Sequence, residues 1–107
     1  LVNSAGLGRE VDPRLIALMA DEPGEATARG LLELFYEDRS LVLDRGVEEM
    51  ARGQQTAGAW PAQQAASRAA FPAGKQGFGL LERLPNIAVP TLIAWGAEDR
   101  VLPLLQG

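Results

Sequence analysis

The chain contains no cysteine and no histidine, and only 6% of its residues are aromatic. Without cysteine there is no disulfide staple, no thiolate nucleophile and no sulfur-ligated metal. Without histidine, serine-type acyl transfer lacks its usual general base and most zinc sites lack a ligand, so this polypeptide performs neither chemistry alone in the usual way. Basic residues are sparse as well. Ten Lys and Arg stand against fourteen Asp and Glu, for a net charge of −4. Lys75 is the one lysine and the arginines are scattered, so the clustered cations that neutralise phosphates are missing, which argues against nucleic acid as a partner. Apolar runs extend only a few residues, far short of the ~20 needed to span a bilayer, and the N-terminus shows no basic-then-apolar leader pattern. These absences lead us to expect no membrane association and a cytoplasmic location, with Leu1 an interior position of a longer polypeptide.

What remains is ordinary for a globular chain. The 107 residues are 47% hydrophobic and 22% charged, enough for one small core. Leu1 to Gly8 starts apolar and runs into two glycines, the pattern of a strand end entering a loop. Asp12-Pro13 is a strong helix start, since the carboxylate can accept backbone N–H groups while proline fits the first helical position. Leu15, Ile16, Leu18 and Met19 then predict a helix of about two turns. Pro23-Gly24 separates it from a second helix over Gly24 to Glu37, with Leu31, Leu32, Leu34 and Phe35 on one side. Gly30 inside that helix costs about 1 kcal/mol relative to alanine, which implies either a marginal helix or a neighbour packed close. A third helix is predicted over Leu41 to Gln55, with Leu43, Val47, Met50 and Ala51 inward, and a fourth over the alanine-rich Ala59 to Phe71 despite Pro61. Residues 71 to 79, with three glycines and a proline, read as irregular; Leu80, Leu81 and Leu84 form a short turn before Pro85-Asn86.

The last stretch organises the rest. Val89-Pro90-Thr91-Leu92-Ile93-Ala94-Trp95-Gly96 reads as a buried strand that carries Asp99 to its carboxyl end, where α/β proteins place chemistry. The expected architecture is therefore mainly α: four or five helices between remnants of two strands of a parallel sheet.

The order Val-Pro-Thr-Leu-Ile-Ala-Trp-Gly-x-x-Asp-Arg-Val-x-Pro at 89–103 resembles the seventh strand and acid loop of the α/β-hydrolase family. Leu-Val-Asn-Ser-Ala-Gly-Leu-Gly at 1–8 is similar to that family's strand-six exit. Leu34 to Val42 and Arg68 to Gln76 resemble the cap of the α/β-hydrolase-type dihydrolipoamide acetyltransferases of acetoin-cleaving systems, beside which general esterases and carbon–carbon-bond hydrolases stay open. The resemblance implies three parts: 1–8, the end of a core strand and its exit loop; 9–84, a helical cap; and 85–107, a core strand with the catalytic-acid loop.

It implies a Ser-His-Asp enzyme in which Asp99 orients the histidine and stabilises the imidazolium, acting on a small acyl substrate, with no cofactor in this chain and a lipoyl group as a candidate acyl acceptor. The nucleophile and the histidine are absent: no Gly-x-Ser-x-Gly occurs, and Ser4, Ser40 and Ser67 have no elbow around them. Trp60, Phe71, Phe78 and Phe35, with Tyr36, are candidates to line the acyl pocket, although aromatics at helical spacing are more often core. Asn3 and Ser4 are weaker candidates for ligand contact. The carboxylates of Asp44, Glu48 and Glu49 read as a hydrated helix face rather than a metal site. Exposed strand edges would favour self-association of this piece. The competing reading is a self-standing helical interaction module without catalysis.

Overall fold

The computed structural model describes Val2 and residues 4–104, so readings that fall on Leu1, Asn3 and residues 105–107 lie outside the described residues. Four α-helices make the body: α1 Pro13–Ala20, α2 Glu25–Phe35, α3 Asp44–Gln54 and α4 Ala59–Ala70. Short 3-10 turns lie between α2 and α3 at Arg39–Leu41 and after α4 at Pro72–Gly74 and Leu81–Asn86. The architecture is mainly helical, as the periodicity implies.

Each helix begins where local chemistry favours it. Asp12 caps α1, its carboxylate accepting the Arg14 N–H at 2.8 Å, and Pro13 occupies the first turn. Glu25 opens α2 with a negative charge beside the helix N-terminus. Pro61 falls in the first turn of α4, where its missing N–H has no intrahelical partner to lose.

The second helix is the centre of the body, flanked by α1 on one side and α3 on the other, while α4 closes against α1 and the edge of α3. Val11, Leu15, Leu31, Leu34 and Trp60 form one buried cluster, joined by Phe71 and Val101 at its border. Ala28, Val47 and Ala51 form a second between α2 and α3, and Met50 packs against both. Gly30 is resolved in favour of close packing: a Cβ there would lie 2.8 Å from Leu18 Cδ2, so α1 rests on the bare backbone of α2. Buried Gln54 fastens the far end of α3 to the start of α2, its side-chain oxygen accepting the Gly24 N–H at 3.1 Å.

Three sequence expectations change. The third helix does not begin at Leu41. Asp38 Oδ1 accepts both the Ser40 N–H at 2.9 Å and the Ser40 hydroxyl at 2.6 Å, which starts a separate 3-10 turn, and Leu43 becomes an exposed, extended cap. The stretch at 71–79 is irregular but firmly held. Gln76 is fully buried; its Oε1 accepts the Gly6 N–H at 2.6 Å and its Nε2 donates to the Glu10 carbonyl at 2.8 Å. Backbone bonds from Gln76 to Arg9 and from Leu80 to Gly6 complete a clamp on the N-terminal loop.

The third change concerns the strands. Among the described residues they meet in one parallel bridge, Val2 with Ala94, and make no ladder. The orientation is the parallel one expected, but the burial is not: Leu92 is 82% and Val89 69% exposed. A two-segment pairing has no sheet to lie against and no second layer to cover it, which is why an apolar run that reads as interior stands in solvent.

Two substitutions test this packing. Replacing Gln76 with leucine leaves the buried Gly6 N–H unpaired and should cost about 1–3 kcal/mol in urea unfolding. Gly77→Ala should also destabilise, because its Cβ would sit 2.6 Å from the Pro72 ring, whereas Gly53→Ala in α3 meets nothing within 4 Å and should be neutral or stabilising.

Candidate functional site

The loop after Trp95 is built around one carboxylate. The Asp99 N–H donates to the Gly96 carbonyl at 3.2 Å, which turns the chain. Asp99 Oδ1 then accepts the N–H groups of both Val101 and Leu102 at 2.9 Å, the local side-chain-to-backbone pairing that short acidic residues make in turns. The Trp95 indole N–H closes the loop from outside by donating to the Leu102 carbonyl at 2.8 Å. These bonds fix the direction in which the half-buried Asp99 carboxylate points.

Longer contacts set the loop against the helices. The Asp12 N–H donates to the Val101 carbonyl at 3.1 Å, and the Val101 side chain packs on the main apolar cluster. Arg100 pairs with Glu37 at 2.5 Å, just past the end of α2. Between the loop and the end of α2 lies a cleft of about 530 Å³, walled by Phe35 and Glu37 on one side and by Gly96 to Asp99 with Val101 and Leu102 on the other. A carboxylate oriented by backbone donors at the wall of an open cleft can accept a hydrogen bond from an imidazole ring brought into that space.

Of the predicted pocket aromatics, Phe35 alone shares this cleft with Asp99. Trp60 belongs to the helical core, 5% exposed, and its indole N–H donates to the Asp21 carbonyl at 3.0 Å, which fastens α4 to the end of α1. Phe71 borders a separate cavity of about 260 Å³ between α1 and α4. Phe78 is nearly half exposed and packs over Gly6, where an added Cβ would approach its ring to 3.1 Å. Tyr36 is exposed beside the cleft-lining Phe35 and Glu37, and the Ser4 hydroxyl donates to the Val2 carbonyl at 3.4 Å. Asp44 pairs with Arg29 at 2.6 Å and Glu49 with Arg45 at 3.0 Å, and no group of three or more metal-ligating side chains occurs among the described residues. No helix among them is long and apolar enough to cross a membrane.

Glu37 is the site residue that sequence reasoning passes over. It reads as the last residue of the second helix, and its pairing with Arg100 joins parts of the chain too distant for any local pattern to reveal.

Asp12, whose backbone N–H holds the loop at Val101, carries a shifted carboxyl on its side chain. The hydrogen bonds from the Arg14 side chain hold its carboxyl below the usual 3.8 against the opposing effect of burial, with the Arg14 backbone N–H and the Arg14 and Arg100 charges adding to the shift. A lowered folded-state value contributes stability above the ordinary carboxylate range, and that contribution is lost as pH falls through the folded value. Urea midpoints measured from neutral pH down to pH ~2 should therefore fall less steeply in Asp12→Asn, which keeps a capping oxygen but has no charge to lose. At the loop itself, Asp99→Asn retains an acceptor for Val101 and Leu102 and should leave stability within about 0.5 kcal/mol of the parent, while Asp99→Ala unpairs both and should cost about 1–2 kcal/mol.

Three curated proteins match the chain over nearly its whole length. It is 32% identical to the 2-hydroxy-6-oxo-2,4-heptadienoate hydrolase of Pseudomonas putida, an alignment of 97% of this chain with 38% of that protein. It is 35% identical to the 2-hydroxymuconate semialdehyde hydrolase of a Pseudomonas species, covering 97% of this chain and 37% of that protein. It is 24% identical to the dihydrolipoyllysine-residue acetyltransferase component of the acetoin cleaving system of Cupriavidus necator, covering 96% of this chain and 28% of that protein. The chain thus spans between 28% and 38% of the length of these relatives. No family model and no solved structure matches. These likenesses support kinship with hydrolase-fold enzymes.

Proposed function

We propose that the chain is the cap and acid-loop portion of an α/β-hydrolase-fold enzyme that uses a Ser-His-Asp relay, with Asp99 as the acid. In this reading residues 1–8 are the end of a core strand with its exit loop, 9–84 the cap, and 85–107 a core strand with the acid loop. The observation that carries it is the Asp99 carboxylate, held by two backbone N–H groups in a loop that lines a cleft also touching the end of α2.

The cleft gives the division of labour its physical sense. A histidine contributed by the rest of the enzyme would place its ring against Asp99, which would hold the tautomer that accepts a proton from the nucleophilic serine and would stabilise the imidazolium that results. The helices would cover the substrate, exclude water and shape what enters, so the role of this portion is substrate gating and imidazole orientation rather than bond-making. The exposed run at 89–93 supports the same reading: Leu92 and Val89 are apolar and uncovered, which suits a strand whose sheet lies elsewhere. A self-standing helical module would instead pack that run on its own helices.

The two higher identities belong to proteins named as hydrolases of small oxo acids, so hydrolysis of such a compound is the first activity we assign to the whole enzyme. Acetyl transfer to a dihydrolipoyl group is the second, favoured by the likeness to the acetoin-system component.

A segment exchange tests the proposal. With this chain replacing the matching part of the Pseudomonas putida hydrolase, the chimera should hydrolyse 2-hydroxy-6-oxo-2,4-heptadienoate, and Asp99→Asn in it should lower kcat by roughly 10³–10⁴. Acyl transfer to dihydrolipoamide, assayed in parallel, decides between the two activities. An Asp99→Asn chimera with undiminished kcat would remove Asp99 from the relay. The isolated chain should self-associate through its uncovered strand, with Leu92→Lys shifting it toward monomer; a monomeric parent at high concentration in light scattering would contradict that.

A further inference from the structure

The loop that carries Asp99 is fixed to the helices by contacts of three kinds. Val101 enters the apolar cluster, its carbonyl accepts the Asp12 N–H, and Arg100 pairs with Glu37. The first two tie the far end of the loop to the start of α1 and to the core cluster that α1, α2 and α4 share. The third spans the cleft itself, because Glu37 belongs to the opposite wall together with Phe35. That ion pair therefore joins the two walls directly.

We propose that Arg100 is a positioning residue whose pairing with Glu37 forms a releasable strap across the cleft, setting its width and the placement of Asp99. The catalytic meaning of the strap rests on the proposed role of Asp99; its mechanics do not. Both partners are nearly half exposed, at 45% and 49%, so salt screens the pair and water competes for it. The apolar contact of Val101 and the backbone bond to Asp12 are far less sensitive to salt. Releasing the pair should thus loosen one wall of the cleft while the helical core stays folded.

Amide hydrogen exchange on the full 107-residue chain tests this directly. The amides of Val101 and Leu102, both bonded to Asp99, report the loop, and the amides of buried Val47 and Ala51 report the core. Arg100→Gln and Glu37→Gln should each speed exchange at Val101 and Leu102 by about two- to five-fold and leave Val47 and Ala51 unchanged. Combining Glu37→Arg with Arg100→Glu should restore the parent rates. Salt at about 1 M should reproduce the acceleration in the parent and add nothing in Arg100→Gln. Unaltered exchange in both single variants, no restoration in the combined variant, or equal salt responses in parent and Arg100→Gln would overturn the strap. Should the variants lose core protection, the parent's own salt response decides: acceleration confined to the loop supports the strap and its absence refutes it. In the segment-exchange enzyme, Arg100→Gln should raise KM more than it lowers kcat, since it frees the wall without removing the acid. A wholly inactive exchange enzyme would count against the functional reading alone and leave the exchange result standing.

Discussion

The attachment of Val101 to the helices is the contact on which the rest of this structure depends. It lies two residues beyond Asp99, and it is held twice, by its side chain against the cluster around Leu15, Leu34 and Trp60 and by its carbonyl on the Asp12 N–H. Asp12 in turn caps α1, so one residue both starts a helix and receives the end of the acid loop. The loop would otherwise be a tail on an exposed segment. With Val101 anchored, the turn at Gly96 to Leu102 becomes a wall, and the space between it and the end of α2 becomes a cleft of defined lining.

Energetically the molecule has two unequal parts. The helical body closes its own core, and its buried polar groups are paired: Gln54 with Gly24, Gln76 with Gly6 and Glu10, and Trp60 with Asp21. Each pairing matters more for the penalty avoided than for the bond gained, since a buried donor without a partner costs more than a typical bond contributes. The segment from Ile87 to Ala94 has no such closure. Its apolar side chains face solvent, and among the described residues its strand pairing reduces to the bridge at Ala94. This contrast is what a covering body joined to one strand of a larger sheet would show, and it is why the proposed function assigns the two parts to different tasks.

What could be read from the sequence follows the reach of each interaction. Helix starts at Pro13, Glu25 and Ala59 depend on neighbours within a few residues, and they are legible from Asp12-Pro13, Pro23-Gly24 and the alanine-rich run. Gly30 was legible as an alternative, and Leu18 settles it in favour of close approach. Leu43 is not legible as a cap, because Ser40 hydrogen bonds to Asp38 and diverts the chain before a helix can start there, a local competition that apolar spacing does not record. Asp99 stands out as a candidate because its setting after a strand-like run is a sequence feature. Glu37, Gln76 and the sorting of Phe35 from Trp60 were not found, because each depends on which distant segment arrives beside it.

The clamp at Gln76 has a consequence for the order in which this protein assembles. Its bond to Gly6 joins residues 70 positions apart, so the loop it closes includes all four helices. Closing so large a loop gains nothing until the intervening chain has already been shortened by local structure, whereas each helix forms from contacts only a few residues long. During synthesis the segment around Gly6 must wait, unclamped, while α1 to α4 leave the ribosome, and it is locked only when Gln76 follows them.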